Sequence, residues 1–107
     1  MRRDPFQAIA DPSRRAIISL LMINAMTPNN LAEHFNTTRQ AVSKHIKILS
    51  ECELVKANPN GREILYELNA SKLKEIADWI APFRQLWESR FNELDTILEQ
   101  LKNKQNE

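Results

Sequence analysis

Four side chains able to hydrogen-bond a nucleic acid fall on one face of a single predicted helix. Between Thr37 and Glu53, at about 100° per residue, Val42, Ile46 and Leu49 stack on one side. Gln40, Lys44 and Lys47 fall on the opposite side, with Ser43 beside them. Glutamine can pair bidentately with adenine, lysine can reach guanine or phosphate, and serine can take either a base edge or a phosphate. Thr37, Thr38 and Arg39 open the helix, where hydroxyls, a guanidinium and free backbone N–H groups suit a phosphate oxygen. Thr37 stands three residues before Gln40, the spacing of a capping box. His45 lies about 60° from the apolar stripe. It is expected to be half-buried, either donating to a phosphate or satisfied within the fold. Arg62 follows the only glycine, Gly61, at a predicted hairpin tip, from which an arginine can enter a minor groove.

Other chemistries lack their parts. No Ser/His/Asp or Cys/His set is placed by a motif, and one glycine in the whole chain excludes a glycine-rich phosphate loop, so no catalytic residue and no enzyme activity are expected. His34, His45 and Cys52 are the only histidines and the only thiol, at no metal-ligand spacing, so neither a metal site nor a cofactor is expected. A lone cysteine near the end of an amphipathic helix reads as a small packing residue.

These side chains need elements to hold them. Asp4-Pro5 and Asp11-Pro12 each read as an N-cap followed by proline at the first helical position. The second of these helices carries Arg14 and Arg15 in its first turn, against its dipole, which suggests a compensating phosphate. Thr27-Pro28 opens a third helix through Leu31, Ala32 and Phe35, and Asn36 closes it. The face-bearing helix follows about two residues later, as in a helix–turn–helix. After Leu54 the apolar period drops from about 3.6 to 2. Asn58-Pro59-Asn60-Gly61 then separates two strands, with Asn60-Gly61 predicted as the central pair of a type I′ turn. A last helical region starts at Asn69 or Ser71, with a kink or break expected near Ala81 because of Pro82, and fraying expected over residues 103–107.

The order of elements predicts a mainly α chain with one small β-hairpin: a winged helix-turn-helix over residues 1–69, with its wing at 54–68, and a C-terminal helical dimerisation region over 70–107. Trp79, Ile80, Phe83, Trp87, Phe91, Leu94 and Leu98 form an apolar stripe on the last region that a chain of this size has little core to cover. Phe6 and Ile9 on the first helix could complete it. A second copy is the expected partner, with duplex DNA as the other. A protein-interaction module that never touches DNA, and a regulator with an aromatic-lined ligand pocket, remain as alternatives.

Bulk properties agree. The chain has 107 residues and a net charge of +1, but residues 37–62 hold five Lys/Arg against two Asp/Glu, whereas residues 70–107 hold six against seven. A basic middle and a neutral tail suit phosphates and protein respectively. With one cysteine, no apolar leader after Met1 and no run of about 18 apolar residues, a cytoplasmic protein with no membrane partner is expected.

As a set, several segments resemble ArsR-type winged-helix regulators. Phe6 to Ile17 (FQAIADPSRRAI) is similar to their opening, Leu31 to Phe35 (LAEHF) to the helix before the turn, and Gln40 to Leu49 (QAVSKHIKIL) to the recognition helix. Leu54-Val55, Gly61-Arg62 and Tyr66-Glu67-Leu68 resemble the wing. Trp79 to Trp87 (WIAPFRQLW) is similar to a branch whose members often lack the metal sites of the founding proteins. The resemblance implies repression, often of the regulator's own promoter. The absence of Cys-x-Cys before the turn and of histidine in the last helix sets this chain apart from the metal-sensing pattern.

Overall fold

A computed structural model describes residues 4–105. In order they form α1 (Pro5–Ile9), α2 (Pro12–Ile23), α3 (Pro28–Phe35), α4 (Arg39–Glu51), β1 (Val55–Asn60), β2 (Glu63–Leu68) and α5 (Ala70–Gln105). This is a winged helix-turn-helix. The chain divides into two units, Met1–Ile76 and Ala77–Glu107.

The first unit is held by one face from each element. Ile17 and Leu21 of α2, Leu31 of α3, Val42, Ile46 and Leu49 of α4, Leu54 and Val55 at the start of the hairpin, and Ile76 of α5 are all buried. Asp4, Asp11, Thr27 and Thr38 cap the four short helices. At α1 the cap is a full capping box, with Asp4 and Gln7 exchanging hydrogen bonds of 2.9 and 3.1 Å.

The arginines at the start of α2 do not wait for a phosphate. Arg14 Nε donates to the Ala8 carbonyl at 2.6 Å and its Nη2 to the Gln7 carbonyl at 3.3 Å, while Arg15 Nη1 donates to the Ile9 carbonyl at 2.8 Å. A helix of five residues leaves most of its last carbonyls without backbone partners, only that of Gln7 accepting from Ala10 N–H at 3.3 Å, and the two guanidiniums supply the donors. Backbone N–H groups of Arg14 and Ser13 hold the Asp11 carboxyl below its usual range, against partial desolvation and aided by the Arg14 charge.

The strand register pairs Val55 with Leu68, Ala57 with Tyr66 and Asn60 with Glu63. The two-residue turn is therefore Gly61-Arg62, not Asn60-Gly61. Gly61 has φ +68, and neither Asn60 nor Arg62 is left-handed. Glycine at the first central position alone is the type II′ requirement. This register sets small, exposed Ala57 against large, half-buried Tyr66. Tyr66 also exchanges two backbone hydrogen bonds with Met26, at 2.9 and 3.1 Å, so the segment between α2 and α3 adds a third rung to the wing.

Among the described residues, two besides glycine adopt left-handed backbone, both just after a helix. Asn36 (φ 50) lets Thr37 N–H reach the Ala32 carbonyl, and Glu53 (φ 61) lets Leu54 N–H reach the Leu49 carbonyl. Glycine is the usual occupant of such a closure. Glu53→Gly should raise stability by about 0.5–1 kcal/mol, because it relieves a left-handed non-glycine backbone, and the partly exposed Lys72 ion pair is among the smaller interactions it gives up. Urea denaturation checks this, and a lower midpoint would show that Glu53 is not strained.

Of the kink or break expected near Ala81, the break is absent: α5 runs on through Pro82. Proline removes only the N–H that would bond the Asp78 carbonyl, and exposed Asp78 leaves that carbonyl to water. The helix is also intact through Gln105, so fraying from residue 103 is not seen, while Asn106 and Glu107 lie outside the described residues.

Candidate nucleic-acid interface

The local backbone decides where α4 begins. Because Thr37 N–H is used to close α3, the cap falls one residue later, and Thr38 Oγ1 accepts from Ala41 N–H at 3.1 Å. The capping box expected between Thr37 and Gln40 therefore does not form. Three residues, 36 to 38, separate α3 from α4. Gln40, at the second helical position, keeps its amide out of the cap. It is exposed and makes no side-chain hydrogen bond among the described residues.

Ser43, Lys44 and Lys47 are likewise exposed and uncommitted, as are Thr37 and Arg39 at the helix start. Val42, Ile46 and Leu49 fill the core on the other side. Burial of that stripe fixes the rotation of α4 about its axis, so the polar set must face outward. Arg62 is the second residue of the hairpin turn and is exposed.

His45 does not belong with this outer face. It is half-buried and lines a cleft of about 490 Å³ with Pro12, Ser13 and Ala16 of α2, Phe35 of α3 and Thr37. Its Nδ1 is buried without a hydrogen-bond partner. Of the two expectations for His45, satisfaction within the fold does not hold for that nitrogen. Cys52 is buried, its Sγ 3.4 Å from the Asp4 carbonyl, in keeping with a packing role. Among the described residues no three His, Cys, Asp or Glu side chains are grouped to hold a metal ion.

On the other flank of α4 a groove of about 260 Å³ is lined by Ser43, Ile46, Lys47 and Ser50, by Pro28 of α3 and by Tyr66 of β2. Sequence reasoning found Ser43 and Lys47 but passed over Ser50 and Tyr66. Ser50 was detectable as the next turn beyond Lys47, and Tyr66 was not, because its place follows from the strand register.

In the second unit every described residue but half-buried Ile80 is exposed, the apolar ones included. Trp79 and Phe83 sit with ring centroids 4.9 Å apart. Ile80, Trp87, Phe91, Leu94, Leu98 and Leu101 follow a four–three alternation broken only by Arg84, the spacing of a coiled-coil seam. Leu86 adds an exposed apolar side chain that the sequence analysis did not single out. Phe6 on α1 is exposed and Ile9 half-buried.

Residues 11–57 match the family of bacterial regulatory proteins described as arsR. The chain is 38% identical over 78 residues to the transcriptional repressor SdpR of Bacillus subtilis, an alignment covering 73% of this chain and 87% of that protein. This chain belongs to the arsR family. A second relative, the arsenical resistance operon repressor of Staphylococcus xylosus, is 36% identical over 69% of this chain and 67% of its own length. Among solved structures, an ArsR family transcriptional regulator, RHA00566, superposes with a TM-score of 0.66 at 30% identity, over 78% of this chain and 91% of that one. The family match at 11–57 contains the turn and the whole of α4.

Proposed function

We propose that this arsR-family chain is a cytoplasmic transcriptional repressor that binds a pseudo-palindromic operator as a homodimer. One observation carries the reading: Gln40, Ser43, Lys44 and Lys47 form an exposed, uncommitted face on the helix that follows the tight turn, in a family of regulators. Such a helix enters the major groove, about as wide as the helix itself. Arg39, Thr37 and Thr38 contact phosphates at its start, and Arg62 on the wing reaches the neighbouring minor groove. The apolar face of α5, with Phe6 and Ile9 of α1, joins the two copies, placing the recognition helices about 34–36 Å apart. No described helix is long and apolar enough to cross a membrane.

Operator selection from random duplexes, followed by titration at two salt concentrations, tests this. The wild type should bind selected DNA far more tightly than scrambled DNA, with affinity falling steeply as salt rises. Gln40→Ala should relax one base position per half-site at a cost of about 1–3 kcal/mol in discrimination. Lys47→Gln should weaken all sequences alike and lower the salt slope by about one per bound cation. Selection that enriches no sequence would overturn the reading and favour a protein-interaction module.

A further inference from the structure

The groove between α4 and the wing has a composition that base reading does not require. Ser43, Lys47 and Ser50 follow one another at steps of four and three, so they stand in a row along α4, and Tyr66 faces that row from β2. Ile46 and the Pro28 ring complete the wall. No carboxylate lines the groove. Every polar side chain in it can donate a hydrogen bond, and one is a cation. None of these polar side chains is engaged elsewhere among the described residues.

Tyr66 is also held in place. Its backbone is hydrogen-bonded on one edge to Met26, and its residue pairs across β1 with Ala57 on the other. The strand carrying the hydroxyl is thus fixed from both sides before any ligand arrives, so little order is lost on binding.

We propose that this groove seats one backbone phosphate of the DNA, with Tyr66 and Ser50 donating to its oxygens and Lys47 neutralising it. This rests on the DNA-binding reading above and assigns the residues that set how deeply α4 docks. A helix lying in the major groove has a sugar–phosphate strand on each flank. The groove lies on one flank, where α4 meets the wing. A phosphate fits the chemistry because a row of donors with no acceptor-only group suits a tetrahedral anion, and base edges would present donors as well as acceptors.

The test uses the full chain with Tyr66→Phe, which removes only the hydroxyl, and Ser50→Ala, on the selected operator. Each should bind about ten- to a hundredfold more weakly on every operator variant, with an unchanged base preference, as expected for a lost charge-assisted hydrogen bond. The salt slope should stay that of the wild type, because neither change removes a cation, whereas Lys47→Gln lowers it. Operators carrying a single neutral methylphosphonate should then be scanned. At one position per half-site the difference between wild type and Tyr66→Phe should vanish. If the wild type binds specifically and Tyr66→Phe loses less than twofold, or loses the same amount at every methylphosphonate position, the phosphate seat is wrong while the DNA reading stands. If the wild type shows no specific binding, both fall.

Discussion

Replacing Trp87 and Leu94 together by aspartate should turn the proposed dimer into a monomer and weaken operator binding by at least a hundredfold. Both side chains lie on the four–three seam of α5, and Trp87 is 54% exposed, Leu94 49%. No described residue of the second unit covers them. A second copy would bury the seam, and a charge placed there would have to be desolvated without a partner. The effect on DNA is indirect and large. In a dimer the second half-site is bound at a high effective concentration, and this coupling is worth about 10²–10⁴ in affinity. Sedimentation equilibrium gives the oligomeric state and anisotropy titration gives the affinity. A double variant that stays dimeric would remove α5 from the interface. A monomeric variant that keeps wild-type affinity would show that one recognition helix is enough.

Leu49→Ala should cost about 2–5 kcal/mol, a large share of the total stability of a domain this size. Leu49 has no exposed surface and sits in the last full turn of α4, next to buried Ile46 and ahead of buried Leu54. Its carbonyl also accepts the Leu54 N–H that closes the helix, so a collapse there disturbs both the packing and the entry into β1. Urea denaturation should show a lower midpoint at a nearly unchanged slope. Leu49→Met, which conserves volume, should cost less than about 1.5 kcal/mol. Equal losses for the two substitutions would mean that the site is not tightly packed. DNA binding by Leu49→Ala should fail with the melting transition and be intact below it, which separates a folding defect from a contact defect.

The parts of the molecule that follow from local chemistry were readable in advance. Asp4, Asp11 and Thr27 cap where capping chemistry says they should, and the Val42, Ile46 and Leu49 stripe orients α4. The misjudged features depend on neighbours more than one turn away. Thr37 looks like a cap until Asn36 turns left-handed and draws its N–H to Ala32. Arg14 and Arg15 look available for phosphate until the carbonyls of Ala8 and Ile9 at the end of α1 are seen to take their guanidiniums. The Asn60-Gly61 turn signal is strong in isolation, but the register that sets Ala57 against Tyr66 moves the turn along by one residue. Pro82 reads as a breaker, and it is tolerated because its one missing hydrogen bond falls on an exposed carbonyl. At the candidate interface the outward residues of α4 came from periodicity, while Tyr66 needed the strand pairing to bring it to the groove.

The wing has a single open edge. β2 is hydrogen-bonded on both sides, to β1 and at Tyr66 to Met26, whereas β1 has a strand neighbour on one side only. A bare strand edge is a template for pairing with other chains and for aggregation. Here it carries Pro59, which has no N–H to offer, and Lys56, whose charge opposes a like strand beside it. Strand-to-strand joining of two copies through their wings is thereby disfavoured, which is consistent with the proposed dimer forming through the exposed seam of α5 instead. In the proposed complex the wing edge is thereby left free of other strands, as a hairpin that is to reach DNA requires.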